Sequence, residues 1–259
     1  MLRVVKSFDS FKLSHNDEKG FTVLNLDDDC RVLWMPWDDE KWPRPVFPQD
    51  ATYHPIVLYG GKSVMQPRKT VCWDHSYRYS GQWHPVEKGE TPQEIKNMYK
   101  VVYDLFGVNV NMCLANAYEN GYENIAAHSD DEKQMGNLHD VFCFVTGATR
   151  TAVFRHKQDK TKVLEVQLPE GLYVMQGQPF QQRYTHEFPK IKGFDKMVGA
   201  CPSDLVDNLA KARWISDHPV EVKSHLRGLK RRKGGLPVDE LYDSWNVQRY
   251  SYTLRCFIK

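Results

Sequence analysis

The sequence predicts an α+β domain built mainly of strands, and three observations carry that reading. The C-terminal segment Arg249-Tyr-Ser-Tyr-Thr-Leu-Arg-Cys-Phe-Ile258 alternates polar and apolar residues with period two, as a strand with one buried face does. Short apolar runs such as Gly171-Leu-Tyr-Val-Met175 read as buried strands. Helical spacing is clear over one segment, 91–107, and is offered by a second, 203–216.

In chain order, Phe21-Thr-Val-Leu-Asn25 and Arg31-Val-Leu-Trp-Met35 have strand character. A Trp/Pro-rich stretch with Pro36, Pro43, Pro45 and Pro48 follows and reads as irregular. Residues 1–50 are therefore expected to form an N-terminal extension, with no role assigned. Thr91-Pro-Gln-Glu94 reads as a capping box with Pro at the first helical position. Ile95, Met98, Tyr99, Val102, Leu105 and Phe106 then recur at helical spacing, and Gly107 ends the helix. A strand over Val108–Leu114, a turn at Asn120-Gly121 and a short strand at Ile125–Ala127 come next. The second helix, Ser203 to Ser216, is expected to start with Ser203 as its N-cap. No internal repeat is visible.

With 259 residues and 41% hydrophobic content, the chain can bury one substantial core with room for an appendage. No stretch approaches eighteen consecutive apolar residues, and Met1-Leu-Arg-Val-Val-Lys-Ser-Phe-Asp9 lacks a signal-peptide core, so a membrane-spanning or secreted protein is not expected. The cysteines at 30, 72, 113, 143, 201 and 256 show no Cys-x-x-Cys pair, and read as free thiols in a reducing, intracellular compartment. A net charge of +2 does not mark a nucleic-acid binder. The densest basic run, Lys223 to Gly235 with Lys230, Arg231, Arg232 and Lys233, suits phosphate contact, a nuclear address or a solvated loop.

The chemistry centres on His128-Ser-Asp130. On an extended strand residues i and i+2 share a face, so this imidazole and carboxylate can hold one metal ion together. With one more histidine they would form the two-histidine, one-carboxylate arrangement of non-haem Fe(II) oxygenases. Spacing alone is weak evidence, since His15-Asn-Asp17 repeats it in a polar run. The candidates for the third ligand are His139, His156, His186, His218 and His225. His186 is favoured because it follows the apolar run 171–175 and lies in a segment stopped by Pro189, whereas His156 has polar neighbours. On the last strand Arg249, Ser251, Thr253 and Arg255 share the polar face, and two guanidinium groups enclosed in a domain need an anion. A dicarboxylate held by a forked Arg is the natural occupant, and an ordinary exposed strand face with scattered charge is the alternative.

Together these residues resemble the AlkB-like Fe(II)- and 2-oxoglutarate-dependent dioxygenases, in particular the branch that dealkylates nucleic-acid bases. The resemblance runs from about Pro67 to Pro189 and resumes at Arg249. It rests on Asn116-x-Tyr118, His128-Ser-Asp130-Asp131-Glu132, Gly147-Ala-Thr-Arg150-x-x-Val-Phe154-Arg-His-Lys157, Gly171-x-x-Val-Met175 with His186, and Arg249-x-Ser-x-Thr-x-Arg255. It implies His128, Asp130 and His186 as iron ligands, and Asn116, Tyr118, Arg249, Ser251, Thr253 and Arg255 around 2-oxoglutarate, with dioxygen as the oxidant. Ser251 stands where the family usually has Asn, leaving a hydroxyl in place of an amide.

The segment Gln66-Pro-Arg-Lys-Thr-Val-Cys-Trp73-Asp-His-Ser-Tyr77-Arg-Tyr79-Ser-Gly81 resembles the family's nucleotide-recognition lid. Tyr79 matches the aromatic that stacks on a flipped base, with Tyr77 beside it, while Arg68 and Lys69 are expected at phosphates. Trp73, Tyr77 and Tyr79 have core packing as the alternative. Asp131 matches the acid that faces the base's exocyclic group.

The fold implied is a double-stranded β-helix, a jelly-roll of two antiparallel sheets with flanking helices. Its core would span 51–189 and 246–259. About sixty residues separate His186 from Arg249 where the family has a short connection, so 190–245 reads as an insertion that leaves the site intact if it folds as an appendage. The implied activity is oxidative demethylation of N-alkylated bases in DNA or RNA by a monomer without membrane contact. A hydroxylase of protein or small molecules and a catalytically silent nucleic-acid-binding module are the rival readings.

Overall fold

The computed structural model describes residues 2–15, 17, 19–57, 60–79, 82–86, 89–132, 134, 140–177, 179–229 and 237–257, with the backbone alone at 77–79, 82 and 84. Two antiparallel sheets form the body. The first runs in the order β1 (Arg3–Lys6), β13 (Val163–Leu168), β12 (Arg150–His156), β15 (Tyr184–Phe188) and β10 (Ile125–His128). The second, of nine strands, runs β2 (Lys12–Ser14), β3 (Thr22–Asn25), β4 (Arg31–Pro36), β14 (Gly171–Gln176), β11 (Val141–Gly147), β16 (Arg249–Arg255), β9 (Met112–Tyr118), β6 (Ser63–Trp73) and β5 (Tyr53–Val57). A separate hairpin pairs β7 (Tyr77–Tyr79) with β8 (Gln82–His84). This is the jelly-roll expected.

Apolar residues decide which faces close. Val32, Cys143, Val145 and Tyr173 of the large sheet meet Ala152, Phe154, Leu164 and Tyr184 of the small one, forming the inner core. The outer face of the large sheet, with Val71, Trp73, Cys113, Phe142, Tyr252 and Leu254, is covered by helix α1 (Gln93–Phe106) through Ile95, Met98 and Val102, and a short helix α2 (Phe180–Arg183) leads into β15. Trp73 is thus a core residue and not part of a lid. Gly107 ends α1 in the left-handed conformation at φ 69°, its N–H donating to the Tyr103 carbonyl. The capping box does not form: Thr91 Oγ1 donates to Asp74 Oδ1 at 2.7 Å, and Pro92 occupies the cap position.

Both segments expected outside the core are joined to it in the structure. Residues 1–50 are not set apart, because β1 pairs with β13, β4 pairs with β14, and Leu24, Leu26 and Val32 lie in the inner core. Nor is 190–245 a free appendage. Its helices α3 (Phe194–Met197), α4 (Asn208–Asp217), α5 (Pro219–Gly228) and α6 (Val238–Trp245) share a small core of their own, including Met197, Ile215, Val222, Tyr242 and Trp245. That core is seated on the turn between β9 and β10. Gly121 N–H donates to the Trp245 carbonyl and its own carbonyl accepts from Ile191 N–H, both at 2.7 Å, while Tyr122 packs against Phe194 with ring centroids 4.5 Å apart. Helix α4 starts later than expected, capped by Asp207, whose carboxylate accepts from Ala210 N–H at 2.7 Å.

The turn leaves no room for a side chain at 121. A Cβ there would lie 2.5 Å from Trp245 Cδ1 and 2.8 Å from Ile191 Cβ. Gly121→Ala is therefore expected to lower stability by about 1–3 kcal/mol, the usual cost of overpacking. Denaturant unfolding measures it, and an unchanged midpoint would show that the insertion does not bear on this turn.

Candidate active site

The strands that carry the predicted ligands converge between the sheets. β10 and β15 pair so that His128 and His186 stand directly opposite, although Ile125 still faces Phe188. Three residue steps on β10 against two on β15 make a β-bulge at Ala126-Ala127, and the bulge turns His128 inward beside Ile125. His128 ends the strand, so Asp130 does not share a face with it by pleating, as the spacing argument supposed. Asp130 is placed instead by its own contacts. Its N–H donates to Gln181 Oε1 at 3.0 Å, and its Oδ1 accepts from Arg255 Nη2 at 2.5 Å.

His128, Asp130 and His186 bring three donor atoms within 4.8 Å of one another. Asp130 lies 3.8 Å from His128 Nε2 and 3.6 Å from His186 Nε2. The donor set suits a divalent metal. His128 Nδ1–H donates to the Ala126 carbonyl at 2.9 Å, which leaves the Nε2 lone pair for the metal. Burial holds the His128 pKa below the ordinary imidazole value and pushes that of His186 down to about 3, so both are in the neutral, ligating form. Burial would raise the Asp130 pKa, but the Arg255 guanidinium with the neighbouring imidazoles outweighs it and keeps the carboxylate ionised. No other group of three such residues stands out among the described residues.

The other predicted site residues separate into those the fold brings here and those it does not. Asn116, Tyr118, Ser251, Thr253 and Arg255 line the same pocket as the three ligands, with Leu114, Tyr173, Met175 and Phe188 as its apolar wall. Asn116 Nδ2 donates to Ser251 Oγ at 3.4 Å, so the hydroxyl of Ser251 sits where it can act on a pocket ligand. The polar face of β16 is not open to solvent, since the small sheet covers it and Arg249, Ser251, Thr253 and Arg255 are all buried. Arg255 pairs with Asp130 at the metal end. Arg249 lies at the opposite end of the strand against the Phe188 ring. It does not itself line the pocket; its Nη1 donates to the carbonyls of Ala148 at 2.8 Å and Leu168 at 2.9 Å, while Nε and Nη2, the two nitrogens of one fork, are buried without a partner among the described residues. That edge matches a carboxylate.

Arg68 departs from expectation. It is 3% exposed, lines the pocket and donates from Nε to Asn116 Oδ1 at 2.8 Å, so it is not a surface phosphate contact. Alternation explains it: Gln66, Arg68, Thr70 and Cys72 are the inward residues of β6. Lys69 points the other way and pairs with Glu119 at 2.6 Å. Asp131 is more than half exposed and lies 3.5 Å from Lys157. The side chains of Tyr77 and Tyr79, together with His139 and the run Lys230 to Lys233, lie outside the described residues. Of the histidines not chosen, His156 accepts on Nδ1 from Asp159 N–H at 2.9 Å, and His218 Nδ1–H donates to the Trp214 carbonyl at 2.8 Å. Gln181, which anchors Asp130, was not singled out from sequence. Its only signal is proximity to His186, which does not mark it.

A buried His-Asp-His cluster with a partnerless arginine fork at the far end of one strand is the arrangement of an iron- and keto-acid-dependent oxygenase. The profile of the 2OG-Fe(II) oxygenase superfamily matches residues 39–223, and the chain belongs to that superfamily, as an AlkB-like member. The family uses Fe(II), 2-oxoglutarate and dioxygen. The DNA oxidative demethylase ALKBH2 of Mus musculus is 27% identical over 50% of this chain and 57% of its own length. The alpha-ketoglutarate-dependent dioxygenase alkB homolog 3 of Homo sapiens is 30% identical over 60% of this chain and 52% of its own. The chain thus spans about half the length of the curated relatives it matches. The solved structure of OsALKBH1 aligns over 90% of this chain and 99% of its own at 13% identity, with a TM-score of 0.46. The superfamily match stops before β16, yet the pairing of β16 between β11 and β9 brings Ser251, Thr253 and Arg255 into the pocket lining and Arg249 against the Phe188 ring of its wall.

Proposed function

We propose that the chain is a 2-oxoglutarate-dependent dioxygenase that removes N-alkyl groups oxidatively from bases in nucleic acid. The observation that carries the reading is the pairing of two features: the His128, Asp130 and His186 donors in the pocket, and, against the Phe188 ring of the pocket wall, the Nε/Nη2 edge of Arg249, partnerless among the described residues. The donors would hold Fe(II), and the arginine edge would take the distal carboxylate of 2-oxoglutarate. When bound, iron with 2-oxoglutarate and dioxygen supplies the oxidation: the keto acid is decarboxylated to succinate, and one oxygen atom enters the N-alkyl carbon, whose hydroxylated form releases an aldehyde and the free base.

The protein's own work is orientation and exclusion of water. Asn116 and Ser251, linked at 3.4 Å, present an amide and a hydroxyl to the cosubstrate's flank. Tyr173, Met175 and Phe188 keep that space apolar. Arg255, fixed on Asp130, holds the carboxylate ionised and aimed at the metal position. Nucleic acid as substrate is supported by the likeness to DNA oxidative demethylases and by the aromatic, basic segment around Tyr77 and Tyr79. Asp131, exposed next to Asp130 in sequence, is suited to face a base edge.

A panel of methylated DNA and RNA oligonucleotides tests this. Succinate formation coupled to loss of the methyl group is expected. Turnover of 2-oxoglutarate that no oligonucleotide stimulates would favour a protein or small-molecule hydroxylase. Tyr79→Ala should impair demethylation about ten- to hundredfold while sparing uncoupled 2-oxoglutarate decarboxylation, since a stacked base is worth roughly 1–3 kcal/mol. Equal loss of both activities would make Tyr79 a core residue.

A further inference from the structure

Against the Tyr118 ring of the pocket wall lies a second buried cation that the proposed cosubstrate contacts above do not use. Arg150 starts β12 on the inward face it shares with Ala152 and Phe154, so its side chain enters the space between the sheets and is 3% exposed. Its strand partner is Leu168, whose carbonyl is one of the two acceptors of Arg249 Nη1. The two arginines therefore come from facing sheets to the same end of the molecule. Their guanidinium groups lie on neighbouring rings: Arg150 is 5.2 Å from the Tyr118 centroid, Arg249 is 5.1 Å from that of Phe188, and the rings are 6.4 Å apart.

Arg150 Nη2 donates to the Pro189 carbonyl at 2.8 Å, but Nε and Nη1 are buried without a partner among the described residues. It makes no ion pair among the described residues, and neither does Arg249. Burial, with a contribution from Arg249, pushes the Arg150 pKa down to about 10, which still leaves it charged at neutral pH. Two like charges desolvated side by side are costly, and that cost is offset only if an anion sits between them. Glu123, the nearby carboxyl on the turn after β9, is committed to Tyr53 at 2.6 Å and to Glu119 N–H at 2.8 Å.

Building on the proposed 2-oxoglutarate site, we infer that Arg150 is a second cation for the distal carboxylate of the cosubstrate, closing the pocket end together with Arg249. Arg249 supplies the fork that fixes the carboxylate's orientation. Arg150 supplies charge and further N–H donors from the opposite sheet, and the carboxylate in turn neutralises the pair. A consequence is selectivity: a keto acid without the distal carboxylate leaves both guanidinium groups unneutralised and should bind poorly.

The test is calorimetric titration of the full chain, with Mn(II) in place of Fe(II), using 2-oxoglutarate and 2-oxopentanoate, which has the same carbon chain but no distal carboxylate. Arg150→Gln should weaken 2-oxoglutarate binding tenfold or more and leave 2-oxopentanoate binding unchanged. Arg150→Lys, which keeps the charge, should recover part of the loss. The melting temperature without ligand should not fall, because the substitution removes an unneutralised buried charge. Equal weakening of both keto acids, a lowered melting temperature or failure of Arg150→Gln to fold would make Arg150 a prop for Pro189 and Tyr118 and overturn the inference. Unchanged 2-oxoglutarate binding in the folded variant would also overturn it. If the wild-type chain binds no 2-oxoglutarate, the cosubstrate reading itself fails.

Discussion

Asp130→Ala is expected to abolish metal-dependent 2-oxoglutarate turnover and to weaken Mn(II) or Fe(II) binding by more than about a hundredfold. Loss of a residue that merely supports a ligand already costs 10–100-fold in typical sites, and Asp130 would supply a ligand atom itself. The variant should also be less stable. Arg255, 4% exposed, would lose the carboxylate that accepts its Nη2–H at 2.5 Å, and breaking such a buried pair typically costs about 3–5 kcal/mol. Asp130→Asn separates the two effects, since the amide oxygen still accepts from Arg255 while the ligand charge is gone. His128→Ala and His186→Ala should lose metal in the same way without disturbing Arg255. Substitutions at His15 or Asp17 should leave metal binding alone, because Asp17 is occupied by the N–H groups of Lys19 and Phe21 at 2.9 and 2.8 Å. Full metal binding by His186→Ala, with its loss in His156→Ala, would show the third ligand to be wrongly chosen.

Sequence periodicity made the last strand and helix α1 legible because each has a long, regular apolar pattern and a clear end. It could not show that β16 is central. A strand's polar face looks the same whether it meets water or a second sheet, and only the pairing of β16 with β11 and β9, under the small sheet, closes Arg249 and Arg255 away. The same limit hid Arg68. A cation beside a lysine reads as surface, yet the two alternate across β6, one inward to Asn116 and one outward to Glu119. The attachment of the first 50 residues is not legible because short strands give no hint of their partners, and those of β1 and β4 lie more than a hundred residues along the chain in β13 and β14.

The three residues of the candidate metal site are brought together by the fold, but not in the way the spacing argument supposes. His128 and Asp130 were joined by strand pleating, whereas a bulge aims the histidine, and Gln181 and Arg255 aim the carboxylate. A bulge has no reliable sequence mark, since Ala126 and Ala127 could extend a strand as readily as interrupt one. The insertion's attachment was equally invisible: Gly121 appeared as a turn residue, while its lack of a side chain also admits Trp245.

Arg249→Ala should raise the 2-oxoglutarate concentration needed for half-maximal turnover by about two to four orders of magnitude, because two charge-assisted hydrogen bonds at roughly 1.5–3 kcal/mol each are lost. Metal binding should survive, since Arg249 and Arg255, the arginine that holds Asp130, sit at opposite ends of β16. Part of the effect will be structural. Nη1 satisfies the carbonyls of Ala148 and Leu168, and leaving them unpaired costs about 1–3 kcal/mol each in folding stability. Arg249→Lys addresses that ambiguity: an ammonium can reach a carbonyl and keep the charge, but it cannot present the Nε/Nη2 edge. The Lys variant should therefore regain stability while remaining well short of wild-type affinity for 2-oxoglutarate. Its affinity for 2-oxopentanoate should match that of the wild type, because the monocarboxylate never engaged the fork. A folded Arg249→Lys protein with an unaltered 2-oxoglutarate requirement would remove the arginine from the site and leave its two partnerless nitrogens without a ligand to explain them.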